Sequence, residues 1–197
     1  DLFEIQMKIF ARYHQTDPGT FYQDEDLWQF SQYYKQERLI RLEPYYLTLD
    51  FFKPGKPEFV LFAPMSPINR DNLRALAVVG CDEENYGRIM IYNFPKGRQI
   101  YGPAQINALI DQDTRVAQEL TLWDQAGSEV VRGKMILFPL GREVVYIQPL
   151  YLESSGRLKI PELIRLIVSK GEVVVMDVSL EKAFERLDLV LRAREGL

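Results

Sequence analysis

One cysteine (Cys81) and one histidine (His14) in 197 residues leave little room for the chemistry those side chains carry. An internal disulfide, a His-rich metal site and a two-histidine mechanism are all excluded. Positive charge is also short, with 24 Lys and Arg against 28 Asp and Glu for a net charge of −4. The chain therefore lacks the field that draws phosphate backbones, which excludes nucleic acid as a partner class. No apolar run approaches the ~18 residues that a spanning helix needs, because the greasiest stretches are broken by Arg142, Glu143, Lys170 and Glu172. Glycine patterns for a P-loop or a dinucleotide fold are missing, as is a serine in a nucleophile elbow. A starting Met and a secretory signal are absent too, and Asp1-Leu2-Phe3-Glu4-Ile5 is already helical in pattern, which predicts a piece of a larger protein whose natural start lies upstream.

What is present is globular. Hydrophobic residues make up 47% and charged residues 26%, and the length suits one soluble domain over residues 1–197. Apolar residues at helical spacing predict a helix over Asp1–Tyr13, stopped by Thr16-Asp17-Pro18-Gly19. Thr20–Phe30 reads as a further helix and Ser31–Arg41 as loop. Alternation and Pro54-Gly55 predict a hairpin from Pro44–Phe52 and Glu58–Ala63. Asp71–Val79 reads as helical behind Asn69, and Arg88–Phe94 as a strand. Helices are predicted from Pro103 and from Asp113, the second with Val116, Leu120 and Trp123 on one face. Glu129–Pro139 with Glu143–Leu152, and Glu162–Ser169 with Glu172–Val178, predict two more hairpins. Ser179 caps a last helix with Leu180, Ala183, Phe184, Leu187, Val190 and Leu191 on its inner face. The expected fold is α+β, a mostly antiparallel sheet of about seven strands with helices packed on it, and no internal repeat is visible.

Each constellation able to carry chemistry has a plainer reading. Asp111 and Asp113 could pair as acid and base, but Asp113 stands where a helix N-cap belongs. Asn69-Arg70-Asp71-Asn72 could hold an anion at a helix start, and capping is again the stronger reading. Asp24-Glu25-Asp26 beside Trp28 resembles a carbohydrate site, yet adjacent residues diverge and a solvated acidic face fits better. Asp82–Gly87 fails as a calcium loop, with Tyr86 and Asn93 where ligands belong. His14 suits capping of helix carbonyls, and acidic neighbours disfavour a Cys81 thiolate. No cofactor or metal is called for. Asn69, Arg70, Asp71, Asp111, Asp113 and Trp123 make up the candidate binding surface.

Longer words carry a resemblance. Ala11-Arg12-Tyr13-His14-Gln15-Thr16-Asp17-Pro18, Glu25-Asp26-Leu27-Trp28, Glu43-Pro44-Tyr45-Tyr46, Asn69-Arg70-Asp71-Asn72, Asn85-Tyr86-Gly87-Arg88, Phe94-Pro95-Lys96-Gly97, Tyr101-Gly102-Pro103, Ile110-Asp111-Gln112-Asp113, Leu120-Thr121-Leu122-Trp123, Arg132-Gly133 and Pro149-Leu150-Tyr151-Leu152 stand in order along the chain. Together they resemble uncharacterised protein family number one-eight-two, from Asp1 to about Ala183. The resemblance implies a large bacterial protein of the cell membrane, with several spanning helices upstream and a soluble part outside the membrane to which this chain contributes a C-terminal portion. It supplies no catalytic residues. The expected function is an extracytoplasmic binding or assembly role toward envelope components and the upstream membrane-spanning part of the same protein. The alternative is an envelope hydrolase using carboxylates among Asp24, Glu25, Asp111 and Asp113.

The first helix adds an expectation about partners. At about 100° per residue, Asp1, Glu4, Lys8 and Arg12 share a polar arc, Leu2, Ile5, Ile9 and Tyr13 form one apolar ridge, and Phe3, Met7 and Phe10 form another. Two ridges imply two contacts, one with this domain and one with the missing upstream segment or a second copy. Phe3 and Met7 are expected on the interface ridge. The alternative is a helix sunk in its own core.

Overall fold

The computed structural model describes residues 2–35, 38–95, 97–124, 128–141, 143–154 and 160–196. Asp1 in the polar arc, Lys96 in the Phe94–Gly97 word and Arg142 in its turn lie outside the described residues. The fold is α+β and antiparallel, as expected. The strand count is corrected, however: twelve strands among the described residues form two five-stranded sheets and one two-stranded hairpin, rather than a sheet of about seven. None of the described helices is long and apolar enough to cross a membrane. The chain divides into two compact units, Asp1–Gln105 and Ile106–Leu197.

In the first unit, helix α1 (Leu2–Tyr13) and the short α2 (Pro18–Tyr22) precede β1 (Trp28–Phe30). Asp17 caps α2 by accepting the Thr20 amide at 2.8 Å. The stretch read as loop is instead a hairpin, β2 (Gln32–Lys35) on β3 (Arg38–Arg41), and the helix expected over Thr20–Phe30 gives way to α2, a turn and β1. Then come β4 (Tyr45–Leu49), β5 (Glu58–Pro67), β6 (Ala75–Gly80) and β7 (Ile89–Asn93). The helix expected over Asp71–Val79 is thus a strand. Ala75-Leu76-Ala77-Val78 is buried on both faces between β5 and β7, and an unbroken apolar run without alternation reads equally as helix or central strand.

The second unit follows the sequence reading more closely. Helix α3 (Pro103–Gln112) spans the unit boundary, and Asp113 caps α4 (Thr114–Trp123) by accepting the amides of Arg115 and Val116 at 3.1 and 3.0 Å. Strands β8 (Ser128–Arg132), β9 (Ile136–Leu140), β10 (Glu143–Ser154), β11 (Glu162–Lys170) and β12 (Val173–Asp177) lead to α5 (Leu180–Glu195). Ser179 Oγ accepts the Lys182 amide at the start of α5. The run read as one strand, Glu129–Pro139, breaks at Gly133, whose amide turns to the Pro149 carbonyl at 2.8 Å.

The two sheets share one plan, which corrects the expectation of no repeat. In the first, one edge of β5 is divided between β4, on Glu58–Phe62, and β1, on Met65–Pro67, while the other edge takes β6 and then β7. In the second, β9 on Glu143–Ile147 and β8 on Leu150–Ser154 divide one edge of β10, and the other takes β11 and then β12. When Pro64 is matched to Pro149 the registers coincide. Tyr45↔Phe62 answers Ile136↔Ile147, Leu49↔Glu58 answers Leu140↔Glu143, Phe30↔Met65 answers Arg132↔Leu150, and Gly80↔Val60 answers Lys170↔Val145. Even the outer strands agree, with Leu76↔Tyr92 answering Leu166↔Asp177. Each proline sits where one short partner strand hands over to the other. Its carbonyl faces the divided edge, and so does the position of its missing N–H, where no ladder donor is required. The hairpin β2–β3 is an insertion in the first copy, closed by the Leu42 amide donating to the Ser31 carbonyl at 2.8 Å.

Each unit has its own packed cluster. Phe3, Met7 and Ala11 of α1 pack with Trp28, Phe30, Ala63, Met65, Ala75 and Ala77. Val145, Val168, Val173 and Val175 pack with Ala183 and Leu187 of α5. Phe3 and Met7 are therefore core, not interface. It is the other ridge, Leu2, Ile5, Ile9 and Tyr13, that faces outward.

Candidate functional site

Three segments of the first unit, far apart in sequence, close around a polar groove of about 700 Å³. The first is the turn from α2 into β1, where Asp24 and Asp26 hold left-handed φ values of 53° and 54°. The second is the turn from β5 to β6, with Asn69 at φ 62°. The third follows β7 and contributes Phe94, Pro95 and Arg98. Non-glycine residues adopt this region at a cost, and single such residues concentrate at functional sites. Among the described residues these are the three non-glycines at positive φ, and all three line this one groove.

Backbone hydrogen bonds fix the walls. The Glu25 amide donates to the Thr20 carbonyl at 3.0 Å, the Ile68 amide to Leu27 at 2.8 Å, and the Phe94 amide to Arg74 at 3.0 Å. Below the rim a half-buried cluster is fully engaged. Arg74 Nη1 donates to the Phe94 carbonyl at 2.7 Å and its guanidinium lies 5.7 Å from the Trp28 ring centre. Asp26 accepts from Trp28 Nε1 at 3.2 Å and lies 3.9 Å from Arg74 Nε. The His14 ring lies against Trp28, ring centres 3.8 Å apart and tilted by 35°, and points Nδ1 at the Phe10 and Ala11 carbonyls, the helix-end role expected of it. The rim is different. The side chains of Asp24, Glu25 and Arg70 are exposed and have no hydrogen-bond or ion-pair partner among the described residues. The groove thus offers two free carboxylates on one turn and a free guanidinium on another, above a floor whose charges are already matched.

The six residues read as a binding surface separate into two sets. Asn69 and Arg70 line the groove. Asp71 does not, and its carbonyl is where Gly102 packs so closely that a Cβ on residue 102 would come within 1.9 Å. In the second unit Asp111 Oδ1 holds Arg132 Nη2 at 2.6 Å, Asp113 caps α4, and the Trp123 ring lies 5.0 Å from the Arg165 guanidinium. A shallow pocket of about 400 Å³ is lined there by Leu120, Thr121, Asp124, Val130 and Arg132. The two carboxylates proposed as an acid–base pair are therefore occupied separately, one by an ion pair and one by a cap. Sequence reading missed Arg74, Phe94 and Arg98; the ordered word around Phe94-Pro95 was the signal available. Among the described residues no three His, Cys, Asp or Glu side chains gather to hold a metal ion.

Comparison with known proteins gives the family. The model of the uncharacterised protein family UPF0182 matches residues 1–123. The chain belongs to this family. A UPF0182 protein of Syntrophobacter fumaroxidans is 55% identical over 187 residues, 95% of this chain and 21% of that protein. Those of Nitrosococcus oceani and Geobacter sulfurreducens are 49% and 43% identical, over 95% and 93% of this chain and 21% and 20% of their own lengths. The UPF0182 chain described here thus spans about one fifth of the length of these relatives and is part of a larger protein. No solved structure matches it.

Proposed function

We propose that this part of the UPF0182 protein is a non-catalytic binding or assembly domain on the extracytoplasmic side of the bacterial cell membrane, with the groove of the first unit as its ligand site. The observation that carries the reading is the groove itself. Two turns, strained at Asp24, Asp26 and Asn69, present unmatched charge of both signs, Asp24 and Glu25 against Arg70, over a floor in which Arg74 and Asp26 are already satisfied. Strain held at a rim preorganises it, and free opposite charges fit a dipolar ligand, with an ammonium at the carboxylates and a carboxylate at the arginine. Peptide components of the envelope, which carry both groups, are the ligand class. The membrane setting and the upstream membrane-spanning part as partner come from the family resemblance.

Two experiments test this. Detergent-solubilised full-length protein titrated with a short soluble peptide bearing a free amine and a free carboxylate should give saturable heat that Arg70→Glu abolishes without shifting the melting temperature. Absence of heat from the wild type removes the ligand assignment. Separately, the full-length protein should sediment with membranes and be cleaved within this region by protease added to spheroplasts. Protection there, with cleavage after lysis, puts the region inside the cell and overturns the location.

A further inference from the structure

The duplicated plan supplies an internal control for the surface of the first helix. Helices α1 and α4 are comparable in two respects: each comes before the first short strand of its sheet, and each packs on that strand. Each buries one stripe: Phe3, Met7 and Ala11 on α1, and Val116 on α4. Their outward faces differ. On α4 the exposed residues are Thr114, Arg115, Gln118 and Thr121, with Leu122 as the apolar exception. On α1 they include Leu2, Ile5, Ile9 and Tyr13, which are 70%, 55%, 55% and 58% exposed. The comparable helix in the second copy keeps a polar face, so the fold does not require an apolar one. The ridge extends past the helix, since the Tyr13 ring lies 5.9 Å from Phe21, and Tyr22 beside it is 84% exposed.

Leu2, Ile5, Ile9 and Tyr13 stand at i, i+3, i+7 and i+11, the spacing by which one helix packs on another. The area decides which partner is suited. Four side chains of this size, half to two-thirds exposed, offer roughly 450 Å², about half of the ~800 Å² per partner of a stable association between free proteins. A tethered partner does not need that area, because a linked segment is present at an effective concentration near millimolar. The UPF0182 relatives provide such a tether, since about four-fifths of their length lies outside the region matched here. We propose that the Leu2–Ile5–Ile9–Tyr13 ridge is covered, in the full-length protein, by the apolar face of an amphipathic helix from the part of the same polypeptide outside residues 1–197. This holds whichever side of the membrane the domain occupies and whether or not the groove binds a ligand.

The test uses full-length protein carrying single cysteines in a background with Cys81→Ser and no other cysteine. Ile5→Cys and Ile9→Cys report on the ridge, Leu2→Cys serves if either fails to fold, and Leu189→Cys, at a position 68% exposed on α5, is the exposed control. Ridge cysteines should react with a maleimide at least tenfold more slowly than Leu189→Cys and at the same rate in denaturant. A photo-cross-linker at residue 9 should join the ridge to a peptide of the same polypeptide outside residues 1–197. Reaction as fast as the control overturns the proposal, as does a cross-link to a second copy, to another protein, or to a peptide within residues 1–197.

Discussion

Gly133 lies under Tyr151: a Cβ on residue 133 would come within 2.9 Å of Tyr151 Cε2 and 2.6 Å of Pro149 Cγ. The matching places in the first sheet hold Ser31 and Ser66, whose hydroxyls meet at 2.7 Å in a fully buried pair. One plan has thus been filled in two ways, by two small bonded side chains or by one large ring over a residue with none. Gly133→Ser should destabilise the second unit by about 1–3 kcal/mol through overpacking. Adding Tyr151→Ser should recover part of that loss, measurable as non-additivity in a denaturant double-mutant cycle.

Ser31→Ala should cost about 1–2 kcal/mol by leaving the Ser66 hydroxyl buried without its partner. The double variant with Ser66→Ala should cost less than the two single losses together, since no orphaned group remains. Simple additivity in chemical denaturation would show that the pair contributes nothing.

The two ridges of α1 should behave oppositely. Met7→Ala, at a site 2% exposed in the first cluster, should destabilise by about 2–4 kcal/mol. Ile9→Ser, at a site 55% exposed within residues 1–197, should change the stability of residues 1–197 taken without the rest of the protein by no more than ~0.5 kcal/mol. Thermal unfolding of the two variants side by side separates them.

Acid should weaken the start of α2 through Asp17. The Thr20 amide and hydroxyl hold this carboxyl below the usual aspartate range. A folded-state pKa depressed in this way stabilises the protein above the unfolded value, and the contribution disappears as pH falls from about 4 downward. Asp17→Asn keeps a capping oxygen without the titration, so its stability should fall less steeply over that range. Equal slopes for variant and wild type in acid unfolding would remove this assignment.

Much of the fold was legible where local rules act alone. Ser179 and Asp113 announce their helices because a cap needs only its own first turn, and Gly55 and Gly171, at φ 75° and 57°, mark their turns. The reading failed where tertiary pairing decides. Ala75–Gly80 is helix-like in isolation and becomes a strand between β5 and β7. The duplication escaped notice because Glu58 and Glu143, Val60 and Val145, and Pro64 and Pro149 are the identical pairs along β5 and β10, and the β2–β3 insertion shifts the spacing. The groove was half visible. Asp24–Asp26 and Asn69–Arg70 drew attention separately, but it is the pairing of β1 with β5, continued by the Ile68 to Leu27 hydrogen bond, that brings their turns together.

The divided edges of β5 and β10 also bear on aggregation. Val60–Phe62 and Val145–Ile147 are runs of high β-propensity, safe while both of their edges are bonded. Each depends on a flanking strand of only five residues, β4 or β9, to close one side. Detachment of that short strand, without global unfolding, bares a row of amides and carbonyls beside Val60 or Val145 and templates intermolecular pairing. A firmly docked Tyr45–Leu49 or Ile136–Leu140 thus shields its central strand from intermolecular pairing, a protection distinct from the stability of either core.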